Sequence, residues 1–181
     1  LRLGLPALWV LKLANMLAIV ALCPIVYALA HRTLGDKLWA SAAALFVGLH
    51  PPLWYWAASG LETGFYTCAV YWAVLQAHAA TPASRRWTIL PLLLAATSRF
   101  EGPVVAVALG LGLATADVMW PPRQRVRDAL AWAVPFAVLY ALYFAWRLDY
   151  FGYPMPNSAY YKSDVEPGEV VAIVGPTGAG K

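Results

Sequence analysis

Long stretches of this chain carry no Asp, Glu, Lys or Arg: 13–31, 38–61, 63–84, 87–98, 102–116 and 129–146. Within them the apolar positions run on without a polar face, as expected of helices surrounded by hydrocarbon rather than of amphipathic helices on a soluble core. Crossing a bilayer takes about 20 mostly apolar residues, and four of the six windows reach that comfortably. The pattern predicts helices over 8–30, 38–58, 64–80, 87–98, 103–119 and 129–148. At 1.5 Å per residue, the helix over 87–98 is too short to cross a core of about 30 Å. The polar turn that follows it, SRFEG, is therefore expected below the surface or screened by neighbouring helices.

Composition agrees with this picture. The 181 residues are 61% hydrophobic and 12% charged, with mean hydropathy +0.60. A soluble domain has about 25% charged residues. The expectation is an all-α polytopic membrane protein of about six transmembrane helices, ending in a short strand and loop. Net charge +4 then reflects basic loops at a membrane surface and not a nucleic-acid partner. Cys23 and Cys68 both fall in apolar windows, and no histidine has a partner at ligand spacing, so neither a disulfide framework nor a metal site is expected. Leu1 opens in mid-pattern and Lys181 closes inside a motif, so the chain reads as a fragment.

The loops sort by charge. HRTLGDK (31–37), TPASRR (81–86) and WPPRQRVRD (120–128) carry seven basic residues, whereas SGLETG (59–64) and SRFEGP (98–103) carry Arg99 alone. Cytoplasmic loops concentrate Lys and Arg, which places the first set inside and the second outside, together with YFGYPMPNSAYYK (150–162). The outward set holds the unusual charges. Glu62 interrupts an otherwise uncharged stretch, and Arg99 and Glu101 follow the short helix. Ionisable groups at such depth are functional-site candidates. Trp9, Trp39, Trp54, Trp56, Trp87 and Trp120 lie near segment ends, as an interfacial aromatic belt does. Gly110, Gly112 and Ala114 are read as a close helix contact. Lys12 and Asn15 break the apolar run of the first helix, and Lys12 is read as snorkelling to the outer interface.

Ser59-Gly60-Leu61-Glu62-Thr63, then Arg99-Phe100-Glu101-Gly102, then Phe151-Gly152, Met155-Pro156-Asn157 and Tyr161-Lys162 stand in this order. The series resembles the motifs of bacterial GT-C glycosyltransferases, with the arabinofuranosyltransferases of the actinobacterial cell wall among the similar enzymes. Phe100 stands where the family pattern has Pro, and Met155 where it has Leu. The resemblance covers about residues 1–163. It implies an enzyme of the bacterial inner membrane that takes a sugar from a polyprenyl-phosphate carrier and gives it to a cell-envelope glycan or lipid acceptor on the outer face. That chemistry needs a carboxylate to accept the acceptor's proton. It also needs cationic groups or a divalent ion for the departing phosphate. Glu62, Arg99 and Glu101 are the catalytic candidates, Asn157, Tyr161 and Lys162 the substrate-binding ones. Arg99 and Lys162 are the expected phosphate contacts, Arg99 first because a guanidinium binds phosphate through two N–H groups. The family's catalytic Asp, in the first outer loop, has no counterpart: Asp36 and Asp128 fall on the basic side, Asp117 near the inner end of its helix, and Asp149 in the segment after the sixth helix. The fragment by itself is accordingly expected to be inactive, with Glu62 the remaining candidate base.

Residues 164–181 are different. Glu166-Pro167-Gly168-Glu169 leads into an apolar strand and then Gly175-x-x-x-x-Gly180-Lys181, a phosphate-binding loop in which Gly175, Gly178, Gly180 and Lys181 would cradle nucleotide. These residues resemble the opening of an ABC-transporter ATPase domain, which makes a transporter membrane domain the alternative reading. Against it, the loop follows an outward segment with no room to cross back. The connecting helix and early strands of such exporters are missing before it, and the membrane loops here are only six to nine residues long. The expectation is a non-functional stub joined near Asp164 to an unrelated membrane segment, by fusion or as a chimera.

Overall fold

The first apolar run forms one helix, α1 (Ala7–Leu34), in the computed structural model, which describes residues 7–78, 85–115 and 122–152. Asp36 starts the next helix, α2 (Lys37–Gly48), its carboxylate accepting from the backbone N–H of Leu38 at 2.7 Å and of Trp39 at 3.1 Å. Those two N–H groups have no partner inside the helix, so the side chain supplies one.

The window 38–58, expected as one helix, is two. After α2 the chain breaks at Leu49 and His50, and α3 (Pro51–Ala58) follows. The cause is local: Pro51 and Pro52 have no N–H for the carbonyls of Val47 and Gly48, and His50 is pushed to an extended ψ of 107°. The structure satisfies both carbonyls in other ways. Val47 accepts from His50 N–H at 3.2 Å, and Gly48 accepts from the Trp54 indole Nε1 at 2.6 Å.

Four helices complete the described chain: α4 (Thr63–Ala77), α5 (Ile89–Ser98), α6 (Gly102–Thr115) and α7 (Pro122–Phe151). All seven elements are helical, and no strand occurs among the described residues. α7 begins inside the basic stretch read as a loop. Pro122, its first residue, suits a helix start because the missing N–H there has no intrahelical role.

The chain divides into two units, Leu1–Leu142 and Tyr143–Lys181. In the first, α1 packs on α2, α3 and α4, and α4 packs on α5 and α6. The core joins Ala73, Leu92, Ala96, Ala106, Trp132 and Phe136. Contacts sort the loops into two groups. At one end Arg32 donates to the Leu75 carbonyl at 3.0 Å, and Arg85 pairs with Asp128 at 2.8 Å. At the other end the 59–64 and 98–103 turns meet. In the second unit, 143–152 carries a run of ring contacts, Tyr143–Trp146, Trp146–Tyr150 and Tyr150–Phe151.

Among the described residues, two helices are long and apolar enough to cross a membrane, Leu8–Leu34 and Val126–Phe151. In their most apolar windows 28% and 17% of the residues are buried. Leu13, Leu17 and Val20 on α1, and Val134, Val138 and Leu142 on α7, each lie more than half exposed. Leaving such a side chain in water forgoes roughly 1.5–3 kcal/mol, and faces of this extent call for an apolar surrounding. Trp9, Trp39, Trp54, Trp56 and Trp87 are exposed too, while Trp120 lies outside the described residues.

Candidate functional site

The SGLET turn is built by two backbone devices. Gly60 takes φ +80°, a left-handed conformation that side chains disfavour, and this reverses the chain between α3 and α4. Glu62 then stands at the start of α4 but does not cap it: its carboxylate bonds no helix N–H. The cap comes from another helix. Asn15 of α1, only 3% exposed, accepts from Phe65 N–H through Oδ1 at 3.0 Å and donates from Nδ2 to the Leu11 carbonyl at 2.9 Å. Gly64 lets α1 come this close, since a Cβ there would stand 3.1 Å from the Asn15 carbonyl oxygen. The carboxylate of Glu62 is thereby left for a tertiary contact.

That contact is with the second turn. α5 ends at Ser98, Arg99 is extended (φ −140°, ψ 147°), and Glu101 leads into α6. Gly102 makes the hairpin possible. A Cβ there would lie 2.3 Å from the Cα of Ala96, so the two backbones touch where the motif has glycine. Arg99 donates to Glu101 through two parallel bonds, Nη2 to Oε1 at 3.1 Å and Nε to Oε2 at 3.2 Å. Its Nε also lies 3.8 Å from Oε1 of Glu62, and the guanidinium sits 5.4 Å from the ring centroid of Tyr66. The side chains are one-third to one-half exposed, so each pair stabilises the fold by no more than about 1 kcal/mol. The group is open to a ligand and carries a formal charge of −1.

Thus Glu62, Arg99 and Glu101, picked out as isolated charges, form one cluster at one end of the first unit. Asn157, Tyr161 and Lys162, and the loop residues Gly175, Gly178, Gly180 and Lys181, lie outside the described residues. Asp36 is occupied in capping α2 and Asp128 in pairing with Arg85. Asp149 lies within α7, not in a loop after it. Cys23 and Cys68 are free thiols, and no group of three His, Cys, Asp or Glu able to hold a metal occurs among the described residues.

Three residues of the site stood outside the motifs. Asn15 ties α1 to α4, Tyr66 stacks on Arg99, and Lys12 runs beside Gly60. The available signal was the spacing of Lys12 and Asn15, one helical turn apart in an apolar helix and hence on one face. Close helix contacts fall instead at Gly48, where a Cβ would stand 2.9 Å from Cys23 Sγ, at Gly64 and at Gly102. Gly110 would bring a Cβ only to ordinary distance from Trp132, 3.6 Å, and Gly112 faces open space. Comparison with protein-family models, with curated proteins and with solved structures gives no match.

Proposed function

We propose that this chain is part of a GT-C-like glycosyltransferase of the bacterial inner membrane, with about six membrane spans and its active face outward. It moves a sugar from a polyprenyl-phosphate carrier to a cell-envelope acceptor. The observation that carries the reading is the meeting of Glu62 with Arg99 and Glu101, because two motifs 37 positions apart in the chain supply one polar group at one helix end. α2 and α3 together cover the second expected span, 38–58, and act as one broken crossing beside α1. The basic residues Arg32 and Arg85 make their contacts at the other end, as charge on the cytoplasmic side would.

In this reading the acceptor oxygen forms a bond to the anomeric carbon while the bond from that carbon to the phosphate oxygen breaks. The acceptor proton passes to a carboxylate and the polyprenyl phosphate leaves with the electron pair. Glu62 is the more available carboxylate of the cluster, in contact with its cation at 3.8 Å only, whereas Glu101 is clamped by two bonds. Glu101 holds Arg99 in place and offers its remaining lone pairs to sugar hydroxyls. In membranes containing the parent enzyme, Glu62→Gln and Arg99→Ala each lower sugar transfer by about 10²-fold or more, the usual worth of a positioned proton acceptor or charge. Normal turnover in both variants would sink the assignment. The second reading, a transporter membrane domain, is carried by the Gly175–Lys181 sequence alone, and ATP-driven transport by the parent would select it.

A further inference from the structure

The ion pairs of Arg99 leave one edge of its guanidinium open. The group carries five N–H donors in one plane, and an anion can take two parallel bonds on the Nε–Nη2 edge or on the Nη1–Nη2 edge. Glu101 occupies the first edge, accepting from Nε at 3.2 Å and from Nη2 at 3.1 Å. Glu62 makes its nearest approach on the same side, 3.8 Å from Nε. Nη1 makes no hydrogen bond among the described residues, and the side chain is 32% exposed, so the second edge is within reach of a ligand. An anion bound there has the guanidinium between itself and the Glu101 carboxylate, which keeps the two like charges apart.

What holds that edge in one direction is not the ion pair alone. Arg99 and Glu101 belong to the same turn between α5 and α6, so their two bonds move with the turn and tie it to nothing else. The tie to another helix is Tyr66, whose ring centroid lies 5.4 Å from Arg99 Cζ. Tyr66 is itself well anchored. Its N–H donates to the Glu62 carbonyl at 2.9 Å, and the preceding Phe65 N–H is capped by Asn15 of α1 at 3.0 Å. The Tyr66 hydroxyl makes no hydrogen bond among the described residues, so the ring face is the part of the side chain engaged with the site. A cation resting on an aromatic face keeps its in-plane donors for other partners, because the ring takes none of them. Glu101 thus fixes one edge of Arg99 and Tyr66 one face, and the Nη1–Nη2 edge is what remains.

We infer that Tyr66 is a positioning residue for Arg99: its ring holds the guanidinium so that the Nη1–Nη2 edge takes the phosphate of the lipid donor. The inference rests on the donor class proposed above. The test uses the full chain in phosphatidylcholine nanodiscs and compares binding of undecaprenyl phosphate with that of undecaprenol by native mass spectrometry. The wild-type chain prefers the phosphate by about 10- to 100-fold, the worth of one charge-assisted contact. Arg99→Ala brings the two ligands to near parity. Tyr66→Leu lowers the preference by about 5- to 20-fold, the worth of a partly desolvated cation–ring contact, while undecaprenol still binds. Tyr66→Phe keeps the preference, and Tyr66→Leu has no further effect once Arg99 is Ala. No preference in the wild-type chain overturns both the inference and the donor class. A full preference in Arg99→Ala or in Tyr66→Leu overturns the inference and leaves the donor class standing. So does a loss in Tyr66→Phe equal to that in Tyr66→Leu, which would make the hydroxyl and not the ring the active part. Should Tyr66→Leu lose the alcohol as well, Arg99→Lys decides. An ammonium keeps the charge but has no planar edge, so the preference falls as in Arg99→Ala, and a retained preference overturns the inference. Replacing the disc lipid by phosphatidylglycerol leaves the wild-type preference in place; if it disappears, the edge holds bulk anionic lipid and the inference fails.

Discussion

Gly102→Ala adds one methyl group where two helices have no room for it. The new Cβ would stand 2.3 Å from Ala96 Cα, 2.5 Å from Ala96 N and 2.6 Å from the carbonyl carbon of Ala95. An ordinary contact begins at 3.4 Å, so α5 and α6 must part by about 1.1 Å (3.4 − 2.3). No flexible side-chain tip is available to move aside, because all three obstacles are backbone. Overpacking of this kind costs about 1–3 kcal/mol, and backbone obstruction puts this case at the upper end. About 3 kcal/mol is roughly a hundredfold change in the unfolding equilibrium. The control lies in the same helix. Gly112 has nothing within 4 Å of its would-be Cβ, and Gly→Ala inside a helix stabilises by about 0.5–1 kcal/mol. Unfolding of the purified chain by SDS titration in mixed micelles, followed by tryptophan fluorescence, measures both. The two variants are expected to shift in opposite directions. A Gly102→Ala variant as stable as the wild type, or more stable than Gly112→Ala, would refute the tight hairpin that holds Arg99 beside Glu101.

Other substitutions test the remaining ties. Asn15→Ala leaves the Phe65 N–H without its acceptor at a buried position, and should cost about 2 kcal/mol in the same titration; a change below about 0.5 kcal/mol would show that α1 does not cap α4. Asp128→Ala strips the carboxylate from Arg85 where both side chains are about nine-tenths buried, and should cost about 3 kcal/mol. A smaller loss in Asp128→Ala than in Asp36→Ala, which removes only an exposed cap, would contradict that order. Pro52→Ala returns an N–H to the Gly48 carbonyl, displaces the Trp54 indole and shifts its fluorescence; an unchanged spectrum would mean that the indole bond does not depend on the break.

The helices were legible because charge is excluded from apolar surroundings, and uncharged windows mark them with little ambiguity. The errors came where backbone chemistry decides. Apolarity says nothing about the carbonyls of Val47 and Gly48, so the window over 38–58 concealed a break that Pro51 and Pro52 impose. Charge says nothing against helix formation either, and the basic residues before Asp128 lie within α7. At the site, Glu62, Arg99 and Glu101 stood out as charges where none was expected, and two motifs brought them into one argument. Asn15 could not be assigned that way, because its role is a bond to a residue 50 positions on. The Arg85–Asp128 pair likewise joins residues far apart in the chain, whose approach depends on how α5 and α6 run between them. Glycine in SRFEG was readable as part of a motif, but only packing against Ala96 gives its reason.

The account stands or falls on whether lipid-linked phosphate reaches the Glu62–Arg99–Glu101 end. A polyprenyl-phosphate photoprobe with its diazirine beside the phosphate, irradiated with the full chain in nanodiscs and mapped by peptide mass spectrometry, measures this directly. The account predicts labelling confined to peptides containing residues 8–15, 59–66 and 98–102, displaced by unlabelled polyprenyl phosphate. Labelling at the Arg85–Asp128 end instead, or labelling that the unlabelled lipid does not displace, would contradict it.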